Sequence, residues 1–134
     1  MVNITSMIPA SLTNLFFLSA LGLRGCGLYG EIPTGIFLLP NILILDVGRN
    51  RKLSGHMPEI VDSSLKLEEL RLDYTDISGK LPDSIRELKS LRILDIKNCL
   101  FSGFIPATVS NMTTLTSLDL SRNYFSEHFF CSRK

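Results

Sequence analysis

Reactive chemistry is scarce in this sequence. Cysteine occurs three times, at Cys26, Cys99 and Cys131, so the cysteines cannot all be paired within one chain. The two histidines, His56 and His128, are lone histidines on predicted loops, and Cys26 and Cys99 lie next to glycine or asparagine rather than near a second cysteine or histidine, which speaks against metal ligation. There is no glycine-rich phosphate loop, no H-R-D catalytic sequence and no nucleophile motif; Gly25-Cys26-Gly27 is too short to cradle a phosphate. No catalytic residue, metal or cofactor is expected. An excess of charge of one sign is also missing: 14 basic and 13 acidic residues leave a net charge of +1. The one basic run, Arg49-Asn50-Arg51-Lys52, reads as a solvated turn, and nucleic acid is excluded as a partner. Long hydrophobic runs are lacking too. The stretches 15–23 and 36–45 are broken by Ser19, Gly22, Pro40 and Asn41 and fall short of the ~18 residues a spanning helix needs. Residues 1–6 lack the basic start, apolar middle and small-residue cleavage site of a secretory signal.

What is abundant is apolar residue: 45% of the 134 residues are hydrophobic and 20% are charged, enough for one domain that must bury a core. These apolar residues are periodic. An aliphatic-proline pair at Ile8-Pro9, Ile32-Pro33, Met57-Pro58, Leu81-Pro82 and Ile105-Pro106 recurs after 24, 25, 24 and 24 residues. A second series, Leu18, Ile42, Leu67, Leu91 and Leu115, steps identically, so one inserted residue near Arg51 explains both long steps. In phase, each unit reads L-x-x-L-x-L-x-x-N-x-L-x-G-x-I-P. The third is Leu67, Leu70, Leu72, Thr75, Ile77, Gly79, Leu81 and Pro82; the fifth begins well at Leu115 and departs from the pattern at Glu127.

Alternation at pairs such as Leu70 and Leu72 predicts a short strand with one buried face, and one strand per unit stacks into a parallel sheet with ~4.8 Å between neighbours. The expected strand centres are Leu21-Leu23, Leu45-Val47, Leu70-Leu72, Leu94-Ile96 and Leu118-Leu120. After each proline an apolar spacing of three, as in Ile85, Leu88 and Leu91, suits a 3₁₀-like turn. The expected architecture is an α/β repeat solenoid: a right-handed coil with a parallel concave sheet and short 3₁₀ or irregular convex turns. It comprises about five repeats over residues 1–134, with strand cores near 18–26, 42–50, 67–75, 91–99 and 115–123 and no complete caps. The position held by Asn50 and Asn123, and elsewhere by Cys26, Thr75 and Cys99, calls for a small side chain able to bond the backbone inside the bend. Cys26 and Cys99, three repeats apart, are separated by roughly 14 Å, too far for a disulfide, and are expected to be buried thiols.

The elements LYGEIP, LSGHMP, ISGKLP and FSGFIP, with the phrases GRNRKLSG and KLPDSIRELKSL, resemble plant leucine-rich-repeat receptor-like proteins of the disease-resistance type, from Gly25 to Leu120. The resemblance implies a non-catalytic module of a cell-surface immune or signalling receptor. It implies a location on the extracellular side of the plasma membrane, a protein or peptide ligand and a co-receptor kinase, with membrane association only through a segment missing from this chain. Alternatives are a polygalacturonase-inhibitor-like protein acting on secreted microbial cell-wall enzymes, and part of a receptor-kinase ectodomain.

Strand residues pointing away from the core form columns from repeat to repeat. One is Gly22, Asp46, Arg71, Asp95 and Asp119; its neighbours are Arg24, Gly48, Asp73, Lys97 and Ser121, and Ala20, Ile44, Glu69, Ile93 and Ser117. The expected ligand-binding residues are Asp46, Glu69, Arg71, Asp73, Asp95, Lys97 and Asp119. Arg71 is singled out as the cation among acids, able to fork a carboxylate. Asn3 and Asn111 head glycosylation sequons, Asn3-Ile4-Thr5 and Asn111-Met112-Thr113, and Asn111 is expected in a turn away from the strand face.

Overall fold

The structure, a computed structural model, describes residues 6–126. Asn3, Glu127, His128 and Cys131 lie outside the described residues. Ten strands run in chain order: β1 (Ala20–Gly22), β2 (Tyr29–Glu31), β3 (Ile44–Asp46), β4 (Asn50–His56), β5 (Glu69–Arg71), β6 (Thr75–Lys80), β7 (Ile93–Asp95), β8 (Leu100–Phe104), β9 (Ser117–Asp119) and β10 (Tyr124–Ser126). They form two parallel sheets, β1-β3-β5-β7-β9 and β10-β8-β6-β4-β2. The first sheet is the expected one, with each strand displaced about one residue toward the N-terminus from its expected centre. The second was not foreseen. It is built from the L-x-G-x segment, whose glycines adopt a left-handed backbone that side chains disfavour, as at Gly79 (φ 87°) and Gly103 (φ 77°). That bend returns the chain toward the aliphatic-proline pair after only a few residues of strand.

3₁₀ turns at Ala10–Asn14, Thr34–Leu38, Asp83–Glu87 and Ala107–Asn111 each follow a proline, whose fixed φ suits the first position and whose missing N–H is not needed there. Among the described residues the unit after Pro58 has no such turn. Its apolar residues are out of frame: Ile60 and Leu65 are buried, whereas Val61 is 87% exposed. The same unit carries the extra residue, which β4 absorbs as a register shift between Asn50 and Ser54 against β6.

The core runs between the sheets and the turns. Leu45, Leu70 and Leu94 from the first sheet meet Leu53, Ile77 and Phe101 from the second, and Ile36 and Ile85 from the turns, all fully buried. Inside the bend Asn50, 2% exposed, accepts the N–H groups of Cys26 (3.0 Å) and Leu28 (2.9 Å) and donates to the carbonyls of Leu23, Val47 and Gly48. Thr75 Oγ1 and Cys99 Sγ instead donate to the Leu72 carbonyl, at 2.8 and 3.0 Å. Cys99 is a buried free thiol, and burial pushes its ionisation above the usual thiol range. Cys26 is a free thiol as well but is exposed, contrary to expectation; its sulfur reaches only the Arg24 carbonyl, at 3.6 Å, while Asn50 takes the N–H groups of the bend there. No helix of the described residues is long and apolar enough to cross a membrane.

Candidate functional site

The outward residues of the first sheet stand in the expected columns. Gly22 pairs with Asp46, Asp46 with Arg71, Arg71 with Asp95 and Asp95 with Asp119; beside them run Ala20, Ile44, Glu69, Ile93 and Ser117. Parallel pairing repeats one side-chain position per coil, so these residues share one face. The chemistry of that face differs from simple exposure of seven charges, because several are already engaged.

Asp46, Asp95 and Asp119 each commit one carboxylate oxygen to the backbone N–H two residues on, at Gly48 (3.1 Å), Lys97 (3.1 Å) and Ser121 (3.0 Å). This local bond turns the chain out of the strand. Asp95 lies among acids: burial, then Asp73 and Asp119, push its carboxyl up, opposed by the Lys97 N–H and Arg71. The Ser121 hydroxyl and N–H hold Asp119 below the ordinary carboxylate range.

Asp73 is the largest departure. Placed in sequence among exposed ligand contacts, it is 3% exposed and gripped in a fork by Arg24: Nη2–Oδ2 is 2.6 Å and Nη1–Oδ1 2.9 Å. Nη1 also reaches Asp46 Oδ1 at 3.1 Å. The bridge spans from the first unit to the third, passing over Gly48. A Cβ at Gly48 would stand 2.5 Å from both Arg24 Nη1 and Asp73 Oδ1, so any side chain there would push the fork apart. The column order Arg24, Gly48, Asp73 held this signal: a long cation and an acid separated by the one residue with no side chain.

Arg71 is one-third exposed and loosely held, with Nε 3.7 Å from Glu69 Oε1 and Nη1 4.0 Å from Asp95 Oδ2. Glu69 is shared with Arg92, 3.3 Å away, a cation that reading the strand columns passed over. Arg71 thus keeps donors free at the middle of the sheet.

A second group missed in sequence lies in the connections between the sheets. Arg49, Tyr74, Asn98 and Arg122 take left-handed backbone (φ 55–59°), one per coil. Arg49 stacks on the Tyr74 ring at 4.5 Å, and Arg51 and Lys97 each approach it at 5.9 Å. The basic run is therefore not a plain solvated turn: Asn50 is buried within it, and Arg51 donates to the Thr75 carbonyl (3.1 Å) and to Asn98 Oδ1 (3.1 Å). The bulge at the inserted residue turns Arg51 along the solenoid.

On the opposite side, Asn111 ends the Ala107–Asn111 turn and is exposed. It borders a groove of about 300 Å³ lined also by Arg86, Lys89 and Met112. Among the described residues no group of three His, Cys, Asp or Glu side chains converges as metal ligands would.

A family model described as Leucine Rich Repeat matches residues 66–88, 90–112 and 114–132. Receptor-like protein 6 of Arabidopsis thaliana is 35% identical over 68 residues, which are 49% of this chain and 7% of that protein. The Arabidopsis receptor kinase HAESA, solved in complex with the peptide hormone IDA and the co-receptor SERK1, superimposes with a TM-score of 0.83 at 31% identity, over 91% of this chain and 20% of that one. The ectodomain of the Arabidopsis thaliana receptor kinase SOBIR1 gives 0.82 at 32% identity, over 92% of this chain and 68% of that one. The chain thus spans 7% of the length of the curated relative that it matches.

Proposed function

We propose, for a chain that belongs to the leucine-rich repeat family and resembles plant receptor ectodomains, that its five-strand concave sheet is a non-catalytic binding surface for a peptide or protein ligand. The observation that carries this reading is Arg71: a half-buried guanidinium at the centre of a rigid parallel sheet, with acids no nearer than 3.7 Å. A fixed backbone and an unspent fork of donors favour recognition of a carboxylate or carbonyl. Glu69, Asp95 and Lys97 flank it, while Asp46, Asp73 and Asp119 hold the surface in shape more than they offer themselves to ligand.

In this reading the parent protein sits at the plant plasma membrane with its repeats outside the cell. It takes an extracellular peptide and engages a co-receptor, as in the HAESA complex; a role in immune perception is proposed from the resemblance of its LYGEIP, LSGHMP, ISGKLP and FSGFIP elements to receptor-like proteins of the disease-resistance type. An outer part of a receptor kinase is the second reading, favoured by the coverage of the SOBIR1 ectodomain. Asn111 carries N-linked glycan, on the convex side and clear of the sheet; a mass shift on glycosidase treatment of the chain secreted from plant cells, lost in Asn111→Gln, checks this.

Peptides selected from a random library on the full chain, followed by hydrogen exchange with and without peptide, test the surface. Protection confined to β3, β5 and β7 is expected. Protection at the 3₁₀ turns with none on these strands would refute the assignment.

A further inference from the structure

The groove on the convex side is built by two consecutive coils at matching positions. Glu87 ends the turn Asp83–Glu87 and Asn111 ends the turn Ala107–Asn111, 24 residues later in the sequence. Glu87, Leu88 and Lys89 form one wall of the groove; Asn111, Met112 and Thr113 form the other. Its floor is held by backbone. The N–H groups of Leu88 and Met112 close their own turns onto Ile85 and Val109, and the Thr114 hydroxyl donates across the coils to the Leu91 carbonyl at 2.8 Å. Leu88 is buried beneath, and the partly buried Met112 packs against the core.

The polar groups above that floor are available. Glu87 is met by Arg86 at 3.4 Å and by Lys89 at 3.7 Å, with Lys89 65% exposed, and such solvent-facing pairs exchange easily for other partners. The Asn111 amide is exposed and makes no side-chain hydrogen bond among the described residues. A sugar joined to Asn111 therefore begins at the groove itself. The linkage forms between Asn111 Nδ2 and C1 of the first sugar as the bond from C1 to the phosphate oxygen of a lipid-diphosphate donor breaks; the lipid diphosphate leaves with the electron pair and Nδ2 gives up one proton. At about 300 Å³, the groove is at the small end of ligand sites, room for one sugar ring rather than a branched oligosaccharide.

We infer that this groove is a seat for the first N-acetylglucosamine of the glycan on Asn111. The acetyl methyl and the C–H face of the ring lie against Met112, whose flexible thioether side chain fits irregular apolar surfaces. Glu87 accepts a hydrogen bond from the sugar, and Lys89 donates one to a sugar oxygen. The inference rests on the reading of Asn111 as glycosylated and adds what the sugar does there. Attached to one coil and bonded to the coil before it, the sugar is a contact that exists only in the folded stack, so it stabilises the junction between them. The rest of the glycan runs out into solvent.

The full chain, carrying Asn3→Gln to remove the other sequon, is secreted from plant cells held to high-mannose glycans by a mannosidase inhibitor. Three forms are compared: the intact glycoprotein, the same protein trimmed by endoglycosidase H to a single N-acetylglucosamine, and Asn111→Gln. Intact and trimmed forms are expected to melt together, about 3 °C above Asn111→Gln, and the acetyl methyl of the trimmed form to show a nuclear Overhauser contact with the Met112 methyl. Glu87→Ala with Lys89→Ala removes that gain from the trimmed form and changes the melting of Asn111→Gln little. A trimmed form that melts with Asn111→Gln, a gain that survives the Glu87 and Lys89 substitutions, or a missing Overhauser contact overturns the seat and leaves the glycan in place. A mass showing Asn111 unmodified overturns the glycosylation reading itself, and the seat with it.

Discussion

Gly48 and Arg24 decide how the candidate surface is held together. Gly48→Ala puts a methyl 2.5 Å from both ends of the Arg24–Asp73 fork, and the fork must open. The expected loss is about 1–3 kcal/mol of stability in urea unfolding. Arg24→Ala leaves Asp73 buried without its cation and costs about 2–3 kcal/mol, discounted from a fully buried pair because the Arg24 side chain is 37% exposed. Adding Asp73→Ala to Arg24→Ala should recover part of that loss; strict additivity would contradict the bridge. Asp95 gives a pH test. Burial raises its carboxyl, so the folded chain holds that proton more tightly than the unfolded one. Its contribution therefore favours folding below the ordinary carboxylate range and is lost as pH rises through the raised value. Asp95→Asn, which keeps an acceptor for the Lys97 N–H, should be more stable than the parent chain at neutral pH, with the gap closing on acidification. A gap that widens as pH falls would refute the raised ionisation. The residue types at these positions were legible in sequence, but their engagement was not: a column of charges does not reveal which pairs close over a glycine.

The repeat gave the strands of the first sheet and most turns directly, because leucine alternation and proline placement are local signals. It did not give the second sheet. That sheet depends on backbone pairing of β2, β4, β6, β8 and β10, whose short L-x-G-x segments read as turns in isolation. Nor did it give the irregular unit after Pro58, where Ile60 and not Val61 enters the core. Counting by the average repeat assigns the buried position to Val61. Ile60→Ala should therefore cost about 2–4 kcal/mol, and Val61→Ser should stay within about 0.5 kcal/mol of the parent chain. The reverse order in thermal or urea unfolding would restore the regular frame. The bulge in β4 has the same origin: an inserted residue is visible as a step of 25, but the direction in which Arg51 is thrown depends on the register shift it creates.

A stack of coils is stabilised by each neighbour in turn, so its middle and its ends differ. Leu70 and Leu94 are fully buried between flanking coils, whereas Leu118 is 44% exposed. Native-state hydrogen exchange should accordingly be slowest at β5 and β7 and faster at β1 and β9; uniform protection across all coils would indicate a single cooperative unit instead. The same rigidity at the middle coil is what suits Arg71 to the recognition role proposed for it. The proposed class of function was legible in sequence because the repeat itself fixes one exposed parallel face, while the engagement of individual side chains depends on groups brought together across three coils, as around Tyr74. The most direct measurement compares Arg71→Ala with Arg86→Ala for binding of peptides selected on the full chain. A loss of roughly 5- to 30-fold for Arg71→Ala, about 1–2 kcal/mol, with none for Arg86→Ala, is the expected result; equal affinities of the two variants would contradict the concave surface as the binding site.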